Sequence, residues 1–244
     1  MLKIYLDLQK KTKLNLKELL EAQVCKSNKA LSKISIKISS GSQVTLIDDI
    51  FSFGTFDYEF ILDNKVNFVY LCNIFSKDND KLSKRDSAPD ILSKKIKVKL
   101  IGQDSCAKCF YRILGTGCEN YNIKTCQEHW AQKTESFFEI KGVVQDSSKI
   151  ICDSEIKISI EAKESIANQV CKGLILTKNG HFIATPKFQV ETNETSCVHG
   201  AAISTVDSEQ IFYCQSRGIN YSDSYELLVN SFLSNSIFKE PQAL

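Results

Sequence analysis

Long hydrophobic runs are absent from this sequence. No window approaches the roughly 18 apolar residues that a helical membrane span needs. The N-terminus, Met1-Leu2-Lys3-Ile4, also lacks the apolar stretch of a secretory signal. We therefore expect the protein to stay in the cytoplasm without a membrane partner. Basic charge is not in excess either, because the formal net charge is only +2, and we expect no nucleic-acid partner.

The motifs of the large enzyme families are missing as well. The ten glycines form no Gly-rich phosphate loop, and no Gly-x-Ser-x-Gly occurs. None of the three histidines has a carboxylate pair at helical spacing. The sequence therefore offers no hydrolase, kinase or dehydrogenase site, and we expect a protein that is not an enzyme.

Cysteine is more frequent than average, with ten residues in 244, but far below the density of a disulfide-stabilised domain. Without a secretory signal, these cysteines are best interpreted as thiols. Apolar residues make up 43% of the chain and charged residues 25%, which is typical of a globular protein with a sizeable core. We expect one elongated domain, or one domain with a small satellite.

From Ile34 onward, short segments alternate between apolar and polar residues and are separated by turn residues. Val44 and Val66 take equivalent places, 22 residues apart, in two strand–turn–strand units. Such a repeat favours a β-solenoid with rungs of about 22 residues, in which each turn buries its apolar face on the next. Regular short strands and only three prolines also fit a β-sandwich, and the pattern alone does not separate these two folds.

Two stretches outside the strand pattern carry predictions of their own. A helix is predicted from Leu16 to about Cys25, because Asn15 and Glu18 form a capping box. The stretch Ser76–Lys94 is highly charged and does not alternate, so we predict a surface loop there. Three regions result: an N-terminal strand and helix in residues 1–33, a β core in residues 34–203 and a helical segment in residues 204–244.

The most distinctive stretch runs from Thr195 to Asn220. It begins with an extended segment, Cys197-Val198-His199-Gly200. A helix follows, with Asp207 and Gln210 as a capping box at its start and Gly218 at its end. Because the cysteine and histidine are two residues apart, their side chains would share one face of a strand, where both are competent ligands for iron.

This stretch closely resembles the C-terminal signature of the SufB/SufD family, the scaffold proteins of iron–sulfur cluster assembly. The matching residues are His199-Gly200-Ala201, Phe212-Tyr213 and Arg217-Gly218-Ile219, in the family's order and spacing. Glycine after the histidine resembles the SufD branch, because SufB-type members usually have glutamate there. The chain looks like a shortened member of this family. The resemblance implies a right-handed parallel β-helix, which decides between the solenoid and the sandwich.

The resemblance also implies a site for cluster assembly. His199 would lie at the interface between SufB-type and SufD-type subunits, with Cys197 beside it, and would take part in assembling the nascent cluster. Cys171 falls where SufB-type members place the cysteine proposed to hold that cluster, which departs from a pure SufD pattern. We expect Cys171 and His199 to meet on adjacent rungs, because the 28 residues between them slightly exceed one predicted turn. The implied cofactor is a transient iron–sulfur cluster, or iron, at a subunit interface.

The partners implied by the resemblance are a SufB-type subunit, or a second copy of the chain, and a SufC-type ABC ATPase. The ATPase would dock on the C-terminal helices, and ATP hydrolysis would belong to that partner. The second of these helices is predicted from Asp223 to about Phe238, with Ser222 as its cap. The predicted partner-binding residues are Phe212, Tyr213, Arg217, Leu228 and Phe232.

A rival hypothesis comes from a second group of cysteines, whose spacing can make a tetrahedral zinc site in a β-rich binding module. Against it, Cys106 and Cys109 have opposite parity, so on a strand their side chains would point to opposite faces. Buried thiols and a structural, hydrogen-bonded His129 are the alternative interpretation. The candidate zinc ligands are Cys106, Cys109, Cys118, Cys126 and His129.

Overall fold

The computed structural model describes residues 2–6, 12–18, 33–50, 54–75 and 90–234, with the backbone alone for residues 2–6. Short strands dominate this part of the chain. They are β1 (Leu2–Leu6), β2 (Thr12–Asn15), β3 (Ile34–Ile38), β4 (Gln43–Ile50), β5 (Gly54–Leu62), β6 (Asn67–Phe75), β7 (Ile91–Leu100), β8 (Cys106–Gly115), β9 (Asn120–His129), β10 (Glu135–Val144), β11 (Lys149–Ile158), β12 (Ser165–Ile175), β13 (His181–Val190) and β14 (Thr195–Thr205).

Consecutive strands enter opposite sheets. The odd-numbered strands form one seven-stranded sheet, here sheet A, and the even-numbered strands form the other, sheet B. Every strand in each sheet pairs in parallel with the strand two places along the chain. A chain that returns to the same sheet once per turn, always in the same direction, is a parallel β-helix. The predicted fold class is therefore confirmed.

The rungs are longer than predicted. The register pairs Val44 with Phe68, 24 residues further on, and Cys106 with Glu135, 29 residues further on. Val66 lies in the turn before β6 and is not the partner of Val44. The prediction of 22 residues was wrong because apolar alternation shows where strands run but not how they pair, which the turn lengths decide.

The N-terminal region continues the β-helix. Strand β1 pairs with β3 and strand β2 pairs with β4, so the described part of residues 1–33 belongs to the two sheets and is not a separate segment. Helical backbone begins at Leu16, where the backbone N–H of Lys17 donates to the side chain of Asn15 at 2.9 Å. The rest of the predicted helix, to Cys25, lies outside the described residues.

Aromatic rings fill the interior of the N-terminal half. Side chains alternate between the interior and the outer faces along each strand, and the inward set is almost completely buried. The rings of Phe60 and Phe68 face each other across the two sheets with centroids 4.9 Å apart. Tyr70 packs on the same Phe60 ring at 5.2 Å. Each fully buried large apolar side chain stabilises the fold by about 1.5–3 kcal/mol relative to leaving it exposed, so stacked rungs stabilise one another through their interior side chains.

Two glycines make room for one phenyl ring near the C-terminal end. Gly142 and Gly173 are register partners on β10 and β12. A Cβ atom at Gly142 would lie 2.6 Å from the ring of Phe182, and one at Gly173 would lie 2.5 Å from it. The missing side chains therefore form the pocket into which Phe182 packs, which explains the glycine in the Lys141-Gly142 segment.

Lys94 corrects the prediction of a surface loop over Ser76–Lys94. It lies in β7, points inward and is fully buried, whereas the part of this stretch before position 90 lies outside the described residues. Its ammonium forms an ion pair with Asp48, which also accepts a hydrogen bond from Tyr70. It also lies 4.8 Å from the ring centroid of Tyr58. Lysine is rarely buried without a partner, so sequence alone favoured exposure.

Helix α1 spans Ser208–Ser216 and follows β14 closely. Its predicted cap is confirmed, because the side chain of Asp207 accepts a hydrogen bond from the backbone N–H of Glu209 at 2.9 Å. Gly218 has a φ of +88° just beyond the helix, the left-handed conformation that glycine adopts most easily. The helix therefore ends where the sequence predicts.

Helix α2 spans Tyr221–Ser234 and begins earlier than predicted. Its cap is Asn220 and not Ser222, because the backbone N–H of Asp223 donates to the Asn220 side chain at 2.9 Å. The predicted end near Phe238 lies outside the described residues. Neither α1 nor α2 is long and apolar enough to cross a membrane.

Candidate functional site

Strands β13 and β14 form the last rung and lie at the C-terminal edges of sheets A and B. In the pairing of β14 with β12, Cys197 lies opposite Ala167 and His199 lies opposite Gln169. Ala167 and Gln169 are buried, inward-facing residues. Because parallel partners share a face, Cys197 and His199 are both on the interior side of the last rung.

The interior side of this rung is open to solvent in the part of the chain that the structure describes. Phe188 is the register partner of buried Ile156, yet 41% of it is exposed. Ile203, the partner of buried Gly173, is 49% exposed. Side chains that would be core residues in an inner rung thus form an apolar surface, bordered by two strand edges, that another protein surface can complete.

His199 is exposed and stacked. Its imidazole lies on the phenyl ring of Phe188, with centroids 4.3 Å apart and 20° between the ring planes. The two ring nitrogens lie in the plane of the imidazole, so stacking orients them without covering them. Sequence analysis missed Phe188, although the alternation in Lys187-Phe-Gln-Val assigns it to one face. No sequence signal showed that this face is uncovered.

Cys197 is half-buried beside the histidine. Its side chain packs against a small apolar cluster that includes Ile156, Ile158 and Ala167. Burial raises the pKa of the Cys197 thiol, and a contact with the Thr195 hydroxyl at 3.9 Å acts in the opposite direction. Cys197 is therefore a neutral thiol at neutral pH, and binding a metal there would release its proton.

Cys171 and His199 lie on paired strands and on the same interior side, two register positions apart. Cys171 is opposite Ala201, one rung below the open end, and only 1% of it is exposed. Burial raises the pKa of the Cys171 thiol, which a contact with the Ser154 hydroxyl at 3.7 Å only partly offsets. The structure thus places Cys171 near the site but beneath its surface.

A complete metal site is not formed by one chain. Among the described residues, no three His, Cys, Asp or Glu side chains are grouped so that they could hold a metal ion. Cys197 and His199 together supply two donor atoms at an open surface, and tetrahedral iron or zinc needs four. Any metal bound here would take its remaining ligands from sulfide, solvent or a second protein.

The zinc hypothesis is wrong, because the structure separates its five residues. Cys106 and Cys109 lie on opposite faces of β8, the first half-buried and the second in the core. Cys126 lies on the outer face of β9 in sheet A, and Cys118 is exposed in the turn between the two strands. His129 points into the interior instead. Parity had predicted the separation of the first two cysteines.

His129 is a structural, hydrogen-bonded residue. Its Nδ1 lies 2.7 Å from the hydroxyl of Thr134, and its Nε2 lies 2.8 Å from the hydroxyl of Ser136. Burial lowers the pKa of His129 from the usual 6.5 to about 4. The ring is therefore neutral at physiological pH, with both nitrogens already occupied by protein partners.

A second candidate surface lies on the helices. Phe212 and Tyr213 are 73% and 60% exposed, and the guanidinium of Arg217 lies 5.3 Å from the Tyr213 ring centroid. Sequence analysis missed Tyr221 and Leu227, which are 59% and 49% exposed on α2. Exposed aromatic residues beside an arginine are typical of protein-binding surfaces.

The other two predicted partner-binding residues are partly buried. Phe232 packs against a cluster formed by Val143 and Leu174 on sheet B and by Leu233 on α2 itself. Leu228 is half-buried on α2. Phe232 therefore attaches α2 to the β-helix, and the exposed surface of the helices is formed mainly by α1 and the first turns of α2.

Fold and site together define a parallel β-helix protein with an uncovered last rung that carries a thiol and an imidazole. Residues 88–232, more than half of the chain, match the family model described as SUF system FeS cluster assembly, SufBD core domain. The chain belongs to this SufB/SufD family, as its C-terminal signature indicates.

Curated relatives agree with this family. The chain is 31% identical over 99 residues to Protein ABCI7, chloroplastic, of Arabidopsis thaliana, covering 41% of this chain and 21% of that protein. It is 26% identical over 129 residues to the iron–sulfur cluster assembly protein SufD of Bacillus subtilis, covering 53% of this chain and 30% of that protein. It is 27% identical over 92 residues to the iron–sulfur cluster assembly protein SufD of Escherichia coli, an alignment that covers 38% of this chain and 22% of that protein. The chain thus spans less than a third of each of these relatives.

Proposed function

We propose that this protein is a SufD-like, non-enzymatic scaffold subunit of the SUF machinery. It pairs with a SufB-type subunit through its uncovered last rung and docks a SufC-type ABC ATPase on helices α1 and α2. The observation that carries the proposal is the position of His199: an oriented imidazole on an apolar, unfinished rung. A ligand there becomes part of a site only when a second subunit covers the end.

The last rung supports pairing in two ways. Its edge strands β13 and β14 offer backbone groups to a partner strand, and its interior side offers Phe188 and Ile203 for burial. A partner that covered Phe188 and Ile203 would bury them, as their register partners in the rung below are already buried. A SufB-type β-helix with its own open end is the partner we propose, and a second copy of this chain is the alternative.

The nascent iron–sulfur cluster is cargo in this proposal. His199 is a neutral nitrogen ligand that leaves iron more readily than a thiolate does, which suits a site that must release its product. Cys197 can add a thiolate after losing its proton, and the SufB-type subunit supplies the other ligands. Buried Cys171 does not take part in this role, so the geometry favours a SufD-like over a SufB-like subunit.

Gly200 supports the SufD-like assignment only through the resemblance of His199-Gly200 to that branch. A Cβ atom at this position would meet nothing within 4 Å, and its φ is not in the left-handed region. Packing within the described chain therefore does not require glycine beside His199.

Co-purification tests both interfaces. The chain would be co-expressed anaerobically with the SufB-type subunit and the ATPase of the same cell, and complexes would be sized by light scattering. We expect Ile203→Lys to lose the SufB-type subunit, whereas Ile160→Lys, at a somewhat more exposed isoleucine in a turn, keeps it. A complex that survives Ile203→Lys unchanged would contradict pairing through the last rung.

The ATPase interface has its own pair of variants. We expect Phe212→Ala with Tyr213→Ala to lose the ATPase and to keep the SufB-type subunit. Trp130→Ala is the control, because Trp130 is 53% exposed but lies on the β-helix body. Unchanged ATPase binding by the double variant would contradict docking on α1.

A further inference from the structure

Helix α2 is attached to the β-helix at two points. The hydroxyl of Tyr225 donates a hydrogen bond to the carbonyl of Leu176, just after β12, at 3.2 Å. Seven residues further along α2, the ammonium of Lys141 on β10 donates to the carbonyl of Phe232 at 2.8 Å. The same ammonium lies 5.8 Å from the centroid of the Phe232 ring.

Lys141 is in an unusual place for a charged side chain. Only 3% of it is exposed, and Arg112 and Lys172 are its register partners on the two neighbouring strands. Glu139 is the nearby carboxylate, and it pairs with Lys172 at 3.2 Å. Burial lowers the pKa of Lys141, and the positive charges of Lys172 and Arg112 act in the same direction against the attraction of Glu139.

A backbone carbonyl suits such a cation, because a buried charge is tolerated only when it is hydrogen-bonded. The carbonyl of Phe232 belongs to α2, close to the last helical residue that the structure describes. Lys141 therefore has an acceptor on α2 for its buried charge, and the hydrogen bond ties this part of α2 to β10.

The placement of α1 depends on this attachment. Helix α1 buries Ile211 alone among its residues and packs mainly against α2, while α2 packs against β10. The exposed residues Phe212 and Tyr213 are thus connected to the β-helix by the short link from β14 and, through packing, by α2. The attachment of α2 on β10 therefore contributes to the direction in which this aromatic surface faces.

We propose that Lys141 is a positioning residue for partner docking. It holds the part of α2 around Phe232 on β10 and so sets the orientation of the Phe212 and Tyr213 surface relative to the open last rung. The orienting role rests on the ATPase docking proposed above, whereas the attachment of α2 by Lys141 does not. Hydrogen exchange and binding measurements separate the two.

The exchange experiment uses the chain without partners. Lys141→Met keeps an apolar stem on the Phe232 ring but removes the donor, and we expect amide exchange in α2 to rise on the order of tenfold, the size expected for losing a hydrogen bond to a charged group. Lys141→Arg should restore much of the protection. Lys172→Met removes a charge from the same row without a bond to α2 and should leave α2 protected. Unchanged exchange in Lys141→Met would overturn the proposal.

The binding experiment measures affinity for the ATPase partner. We expect Lys141→Met to weaken binding by roughly tenfold, in the same direction as Phe212→Ala but through a residue outside the contact surface. If Phe212→Ala weakens binding and Lys141→Met loosens α2 without weakening it, the positioning role is overturned. If Phe212→Ala has no effect while Lys141→Met still loosens α2, the docking proposal fails and the attachment by Lys141 stands.

Discussion

Asp48 and Lys94 are 46 residues apart in the chain and form an ion pair inside the β-helix, joining β4 of sheet B to β7 of sheet A. Tyr70 donates a second hydrogen bond to the same carboxylate. The two charges are stable inside because each neutralises the other. Neither would be tolerated there alone.

Removal of one partner of this ion pair should therefore strongly destabilise the folded protein. We expect Lys94→Met to lower the free energy of unfolding by about 3–5 kcal/mol, because it leaves the Asp48 carboxylate buried without its cation. Lys94→Met combined with Asp48→Leu should recover a large part of the loss. Denaturant unfolding measures both, and exposed Lys95→Met is the control. Equal stability of the two lysine variants would contradict a buried ion pair.

Stability should depend on pH through His129. Its pKa is about 4 in the folded protein against a usual 6.5, so the unfolded chain binds a proton more readily between these values. The stability that the neutral ring contributes is complete above pH 6.5 and is lost as pH falls towards 4, by about 3 kcal/mol. Unfolding curves at pH 7 and pH 4, compared between wild type and His129→Gln, isolate this contribution.

The imidazole resonances give an independent measurement of the same prediction. In an NMR titration, His129 should begin to protonate well below the midpoint of an ordinary histidine. A His129 titration near 6.5, or a wild type and His129→Gln that lose equal stability in acid, would contradict the buried, neutral ring.

Gly173 should tolerate no side chain. Its Cβ atom would lie 2.5 Å from Cγ of Phe182, and the ring is held between two strands with little freedom to move. We expect Gly173→Ala to cost about 1–3 kcal/mol in thermal or denaturant unfolding. Gly200→Ala, with nothing within 4 Å of its Cβ, should stay within about 0.5 kcal/mol of wild type. Similar losses at the two glycines would show that Phe182 does not set the requirement.

The site itself is tested most directly at His199. We expect His199→Ala to leave unfolding nearly unchanged, because the ring is exposed at the open end, and to reduce cluster maturation sharply in cells that depend on this gene. Cys197→Ser should have a smaller effect. His181→Ala, at an exposed histidine on the outer side of β13, should have none. Normal maturation by His199→Ala at normal protein levels would make the Cys-x-His pair a structural feature only.

Local signals predicted much of this molecule. Alternation along the strands and the C-terminal signature led to a parallel β-helix, and parity separated Cys106 from Cys109. The cap at Asp207 and the end of α1 at Gly218 also follow from side chains that act within a few residues of themselves. Such features depend on short-range chemistry that a single sequence displays.

Long-range partners explain the rest. Lys94 is buried because it forms an ion pair with Asp48 on another strand. A lysine in a charged stretch of sequence does not show that it has such a distant partner. The cap of α2 is Asn220 and not Ser222, because Asn220 bonds the backbone N–H of Asp223, and a sequence with two capping residues so close together does not show which one caps. Cys171 has the right spacing for an open site, but only the register shows that the last rung covers it.

The open end of the β-helix also has a consequence for the cell. A copy of this chain without a partner presents two strand edges and an apolar rung, which is a template for adding strands from any chain, including misfolded ones. Surplus copies would be prone to stacking and to proteolysis. On the pairing proposed above, we therefore expect selection to match the synthesis of this protein closely to that of the subunit proposed to cover its end.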